Sequence, residues 1–261
     1  MRKSNYGYLL HPRIAAGLPP TNARIADIGT GTAVWALDLA RQSPETYHID
    51  GFDISAAQFP EASTLPANIA LHVADAKLPF PAEFHGQFDV VHLRLLTTAM
   101  RGGDWEVVAR NVVQLLRPGG AVQWEDMKGG ESWLFASDGT EVPQTSDSMA
   151  MSRLTGMVKG VAGDRLQHGG PTTLGPIFSG LGLKDVGLET VSSDTVAAVR
   201  KPMSVNFMQL GMLAARRFLK AGLLEGRTTE ELDELERKVL EEIDAGAYYT
   251  ALMYITIGWQ P

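Results

Sequence analysis

Residues 24–53 read RIADIGTGTAVWALDLARQSPETYHIDGFD. Arg24–Ile28 is a short apolar run, Gly29-Thr30-Gly31-Thr32 is a turn, Ala33–Arg41 repeats apolar residues at helical spacing, and His48–Asp53 is a second short run. Strand, tight turn, helix and strand at these lengths make a βαβ unit, whose crossover obliges the two strands to run parallel. Working outward, the same alternation predicts strands at Ile69–Ala74, Phe88–Leu93 and Gly120–Glu125. A helix is expected over Asp104–Leu115, stopped by Arg117-Pro118-Gly119-Gly120. Five strands in this order predict a doubly wound α/β sheet.

After residue 126 the pattern changes. Gly129–Gly170 is rich in Gly, Ser, Thr and Asp around a helical piece near Ser148–Val161, and Pro171–Leu181 also reads as a helix. Lys184–Thr190 and Tyr248–Gly258 alternate like strands and would bring the sheet to seven, the last one antiparallel. Between them lie helical patterns at Ser204–Leu224 and Thr229–Asp244, the second opened by Thr228 and Glu231 in capping-box spacing. The expectation is one domain over residues 1–261, with segments 129–180 and 195–246 forming a helical lid over the substrate side.

Composition narrows the partners. Lys and Arg number 23 against 30 Asp and Glu, a net charge of 23 − 30 = −7, the wrong sign for holding a phosphate backbone, so no nucleic-acid partner is expected. There is no cysteine, hence no disulfide, thiolate zinc site or thiol nucleophile. Histidines and carboxylates show no metal-ligand spacing, so no metal is expected. No window approaches ~18 consecutive apolar residues. A cytoplasmic protein without a membrane partner is expected, and its oligomeric state is left open.

The glycine turn carries the chemistry. Glycines allow positive φ and close ligand approach, and the helix behind them offers unpaired N–H groups. Such a turn suits a nucleoside cofactor, but a dinucleotide fingerprint would want Gly or Ala where Val34 stands. Asp27, at the strand end, would repel a pyrophosphate and attract an ammonium. There is no Gly-Lys-Ser/Thr ending for a triphosphate. Asp53 ends the second strand 22 residues after Gly31, close to the ~20 expected of a ribose-binding acid. Asp75 follows the third strand, where it could accept from an adenine amino group.

With these residues the sequence resembles the class I S-adenosylmethionine-dependent methyltransferases, over roughly residues 1–195 and the last strand. Asp27, Gly29 and Gly31 match that family's first motif, Asp53 its ribose acid and Asp75-Ala76 its adenine motif. FDVVHLRLL (88–96) and LLRPGGAVQWED (115–126) match its fourth and fifth motifs. More narrowly, YLLHP (8–12), GTGTAVW (29–35), GFDIS with QFP (51–60) and VVHLRLL look like the fungal LaeA-like and UMTA methyltransferases of secondary metabolism. The resemblance implies a Rossmann-like fold and S-adenosylmethionine as cofactor, with S-adenosylhomocysteine as product. It implies cofactor contacts at Tyr8, Asp27, Gly29, Thr30, Gly31, Asp53, Ile54, Asp75, Ala76 and His92. The chain departs from the motif at Ala33, where the family has a third glycine, and its segment before YLLHP is short.

Methyl transfer is an in-line displacement, so orientation and exclusion of water do most of the work and no dyad is required. A base that takes the acceptor's proton helps. His168, in a Gln-His-Gly-Gly segment, and Asp126, at the end of the fifth strand, are the catalytic candidates, ahead of Glu125 and His92. Trp124, Trp133 and Met157 are candidate substrate contacts, because six of the ten methionines fall between 149 and 212 and thioethers suit an adaptable apolar pocket. The expected function is O-methylation of a hydrophobic small molecule of secondary metabolism. Two alternatives stay open: a methyltransferase-like cyclase or pericyclase without methyl transfer, and a LaeA-type regulatory protein.

Overall fold

The computed structural model of the protein describes residues 7–162 and 170–261. In chain order the elements are α1 (Pro12–Ala15), β1 (Arg24–Ile28), α2 (Val34–Ala40), β2 (His48–Asp53), β3 (Ile69–Val73), β4 (Phe88–Arg94), α3 (Asp104–Val113) and β5 (Leu116–Phe135). They continue with β6 (Glu141–Val142), α4 (Ala150–Ala162), α5 (Leu174–Gly180), β7 (Lys184–Ser192), α6 (Ala197–Lys220), α7 (Thr229–Asp244) and β8 (Tyr248–Trp259). The described residues divide into two compact units: residues 7–128, 170–190 and 254–261 form a sheet unit, and residues 129–162 and 191–253 form a helical unit. No helix among the described residues is long and apolar enough to cross a membrane.

The strand order is β3-β2-β1-β4-β5-β8-β7, with β6 paired off this path to β5. The pairs β1–β2, β1–β4, β2–β3 and β4–β5 are parallel. Because β1 has β2 on one side and β4 on the other, connections leave it in opposite directions, and the crevice at a sheet's topological switch point opens there. The Gly119 and Gln260 amides donate to Gln260 and Gly120 carbonyls, so the end of β8 lies beside the start of β5, an antiparallel placement. Among the described residues the main path holds seven strands, and the two-residue β6, pairing with Leu134 and Phe135, lies off it.

Side-chain alternation separates the two faces. Ala26, Ile28, Phe52, Val91, Leu93, Val122 and Trp124 meet Trp105, Val108 and Val112 from α3 and Leu174 and Phe178 from α5 in one buried cluster. The other face carries Asp27, His92, Gln123 and Glu125, all buried, beside Trp35 from α2. Segment 129–180 had been expected to be lid to its end, but α5 belongs to the sheet unit because Leu174 and Phe178 fill the apolar face under Trp124.

β5 is also longer than the strand expected over Gly120–Glu125. It starts at Leu116, where a register shift opposite Phe88–Val90 absorbs the Pro-Gly-Gly turn, and runs on to Phe135. In the helical unit α4, α6 and α7 pack Met151, Leu154, Met208, Met212, Leu232, Leu235, Val239 and Ile243 together. Thr228 and Glu231 form the expected capping box, and the Glu242 carboxylate accepts from the Ala150 and Met151 amides at the start of α4. α6 begins at Ala197 rather than Ser204 and runs through Pro202, with Val199 buried in the turn before the proline.

Candidate functional site

The turn after β1 is built around backbone that side chains rarely adopt. Gly29 and Gly31 have φ of 69° and 54°, and a Cβ on Gly29 would come within 2.6 Å of Leu96 Cδ2. Ala33 caps α2 with φ 55° and ψ 17° and is fully buried. Its methyl therefore packs inward; the replaced glycine is felt as left-handed backbone strain of about 1 kcal/mol rather than as crowding of the open side of the turn.

Beneath the turn a polar row crosses the sheet, set by the register Asp27↔His92↔Gln123. The Thr30 hydroxyl donates to Asp27 Oδ2 at 2.7 Å, and His92 Nδ1 lies 2.7 Å from Asp27 Oδ1. Both carboxylate oxygens thus have protein partners, and Asp27 holds the turn through Thr30. Trp35 stacks on His92 with centroids 3.7 Å apart and planes 9° from parallel. His92 Nε2 is 3.8 Å from Glu125 Oε1, which also accepts from Gln123 Nε2. Gln123 in turn donates to Leu9 O at 3.0 Å and accepts from the His11 amide at 2.7 Å. His11 Nε2 meets Glu189 Oε1 at 2.9 Å, a hydrogen bond that holds the Glu189 carboxyl below its ordinary range, and the Tyr8 hydroxyl donates to Glu189 Oε2. The YLLHP segment is thereby tied through Gln123 to the row under the turn.

Asp53, at the end of β2, accepts from the Gly31 amide at 2.9 Å and from the Ser55 amide at 3.1 Å, clamping turn and strand end together. The Ala74 amide donates to Asp53 O, which brings Asp75 and Ala76 to the same edge, and Asp75 Oδ1 accepts from the Lys77 amide. The elements that meet here also expose large apolar side chains: Ile54 is 66% exposed, Val73 65%, Val34 50% and Leu95 41%. Polar groups converging on a strand-end crevice with bare apolar side chains beside it are what a nucleoside with an apolar base needs.

Two residues expected to touch substrate or acceptor are instead structural. Trp124 is fully buried, with its ring 5.4 Å from Trp105 and 6.5 Å from Phe178, because position 124 falls on the apolar face. Asp126 is also fully buried, and it accepts from the Leu96, Thr97 and Met127 amides, the Thr97 hydroxyl and Trp124 Nε1. Burial pushes its carboxyl above the ordinary range, and these donors oppose the rise. It anchors the loop after β4, and no open oxygen is left for an acceptor proton. Trp133 and Met157 lie in the helical unit; Met157 lines an open cleft of about 620 Å³ there with Arg153, Leu223 and Leu235. His168 lies outside the described residues.

Gln123, Trp35, His11 and Glu189 were not anticipated. A signal was available for the first: VVHLRL and AVQWED each place polar residues two apart inside otherwise apolar runs, so one face of each buried strand had to be polar.

Residues 25–120 match the family described as Methyltransferase domain. The chain is 40% identical to the methyltransferase grgD of a Penicillium species over 134 residues, 48% of this chain and 44% of grgD. It is 29% identical to the N-methyltransferase tcpN of Claviceps purpurea over 234 residues, covering 87% of this chain and 80% of tcpN. Among solved structures, a phosphoethanolamine N-methyltransferase 2 of Haemonchus contortus, holding S-adenosylhomocysteine, superposes with a TM-score of 0.54 at 18% identity, over 98% of this chain and 53% of that one. Residues 25–120 thus resemble a methyltransferase domain, and the fold is of the α/β Rossmann-like kind. The chain spans less than half of grgD.

Proposed function

We propose that the protein binds S-adenosylmethionine at the β1–β4 switch point and transfers its methyl group to a heteroatom of a hydrophobic small molecule. The observation that carries this reading is the Asp53 clamp on the Gly31 amide, beside a turn whose Gly29 has no room for a side chain. When bound, the cofactor supplies a methyl group on a positively charged sulfur. The chain's part is to hold and orient. Asp53 accepts ribose hydroxyls, the turn amides and Ile54 flank the nucleoside, Asp75 and Ala76 receive the adenine edge, and Asp27 with Thr30 fixes the turn.

With Asp126 enclosed, His168 is the candidate for taking the acceptor's proton. Oxygen is the acceptor atom expected from the sequence, and nitrogen is the second reading, favoured by the name of tcpN. Calorimetric titration with S-adenosylmethionine and S-adenosylhomocysteine tests the cofactor reading. Micromolar binding of both is expected, weakened about 10- to 100-fold in Asp53→Ala. No binding by the wild type would overturn the reading and leave a cofactor-free cyclase or a regulatory protein.

A further inference from the structure

Arg94 ends β4 on the face that carries His92, one step nearer the C-terminal edge, and its register partner on β5 is Glu125. The two form no ion pair; Glu125 is engaged by Gln123 and lies near His92 instead. Among the described residues, Arg94 is the one arginine that is not exposed and makes no hydrogen bond, ion pair or ring contact. The other half-buried arginines, Arg24, Arg117, Arg200 and Arg216, all meet carboxylates. A guanidinium keeps its charge and five donors at every relevant pH, and partial burial without an acceptor leaves a desolvation cost that a ligand oxygen would remove.

The residue after it is strained. Leu95 has φ 56°, a left-handed conformation costly for a leucine, and is held there by its amide donating to Glu125 O and by Asp126 accepting from Leu96. The backbone that carries Arg94 is therefore fixed at the strand end rather than free. Register places Gly29 of the turn beside it, one position beyond the pair Ile28↔Leu93. Asp27, Asp53, Asp75, Glu125 and Asp126 are carboxylates of this edge, so a ligand group bringing a single negative charge is better matched to one cation than a phosphate would be.

We propose that Arg94 is a carboxylate-binding residue of this site, gripping the ligand's carboxylate with its planar fork of donors. The proposal rests on the cofactor reading above. Two sources offer that group: the methionyl end of the cofactor, or an acidic acceptor, which would make Arg94 the residue that selects acids among hydrophobic substrates.

The test compares wild type, Arg94→Gln and Arg94→Lys by calorimetry. S-adenosylhomocysteine is titrated against 5′-methylthioadenosine, which lacks the amino-acid end. Benzoate is then titrated against benzyl alcohol on protein saturated with S-adenosylhomocysteine. If the cofactor is the source, Arg94→Gln weakens S-adenosylhomocysteine about tenfold or more and leaves methylthioadenosine unchanged. If the acceptor is the source, S-adenosylhomocysteine is unchanged and Arg94→Gln abolishes benzoate binding alone. Arg94→Lys keeps the charge without the fork and falls between. Unchanged S-adenosylhomocysteine together with benzoate binding no better in wild type than in Arg94→Gln overturns the proposal. A wild type that binds neither nucleoside instead refutes the cofactor reading itself. Because Arg94 has no partner among the described residues, the variants are expected to melt with wild type, and Arg94→Lys serves if Arg94→Gln does not.

Discussion

The two faces of one sheet, a single residue apart in sequence, have been given opposite duties. Ala26, Val91 and Val122 point into an apolar cluster closed by Trp105, Trp124 and Phe178. Their neighbours Asp27, His92 and Gln123 form a buried polar row: Asp27 bonds His92 under the glycine turn, His92 Nε2 lies 3.8 Å from Glu125, and Gln123 bonds Glu125 and the amide of His11, whose ring meets Glu189. Both faces are buried, so burial does not separate core from site; the chemistry of what is buried does. The apolar face contributes by removing area from water, without regard to direction. The polar row fixes directions, since each buried donor or acceptor is costly unless its partner is in place.

That contrast can be broken. Trp124→Ala, on the apolar face, is expected to cost about 3–5 kcal/mol in urea unfolding. S-adenosylhomocysteine affinity of the folded variant should stay within a few-fold of wild type; a large loss of affinity at unchanged stability would reverse the assignment of the faces. Asp126→Ala strands the Leu96 amide and the Trp124 indole N–H, while the Thr97 hydroxyl keeps the Met127 carbonyl, and should cost about 3 kcal/mol.

The same residue predicts a pH dependence. A carboxyl whose folded pKa is raised by burial favours the native state most below its ordinary pKa, and that advantage is lost as pH rises through the folded value. Wild type should therefore gain stability relative to Asp126→Asn as pH falls from 7 toward 4 in parallel denaturant titrations. An opposite slope would mean that the five donors, not burial, dominate.

Smaller effects sharpen the comparison. Gln123→Leu removes the acceptor of the His11 amide and the donor to Leu9 O; a loss of about 1–2 kcal/mol is expected, with faster hydrogen exchange at His11. An equally apolar change on the other face, such as Val122→Leu, should leave that exchange unchanged. Ala33→Gly relieves the left-handed backbone at the start of α2 and should raise stability by up to about 1 kcal/mol, read as a higher Tm.

Much of this was legible in the sequence. β1 and β2 lie at Arg24–Ile28 and His48–Asp53 as read, and Thr228 caps α7 as its spacing with Glu231 implied. Asp53 and the glycine turn are brought together as their separation of 22 residues suggested. What failed shares one cause. Trp124 and Asp126 were read from their position at a strand end, which says that they are near a ligand edge and nothing about what covers them.

The sequence by itself determined the order of strands and helices, the turn and the acids at the strand ends, because periodicity, glycine and caps act over a few residues and need no distant partner. Only the tertiary structure decided that Asp126 serves a loop, that Gln123 ties the YLLHP segment to the polar face of the sheet, and that Arg94 stands at the strand end without a partner among the described residues. Those outcomes depend on groups 29 to 181 positions away in the chain, such as Thr97 for Asp126, Gln123 for His11 and Glu189 for Tyr8. The physical reason is that a buried polar side chain takes its role from whichever partner satisfies it, and local sequence does not name that partner.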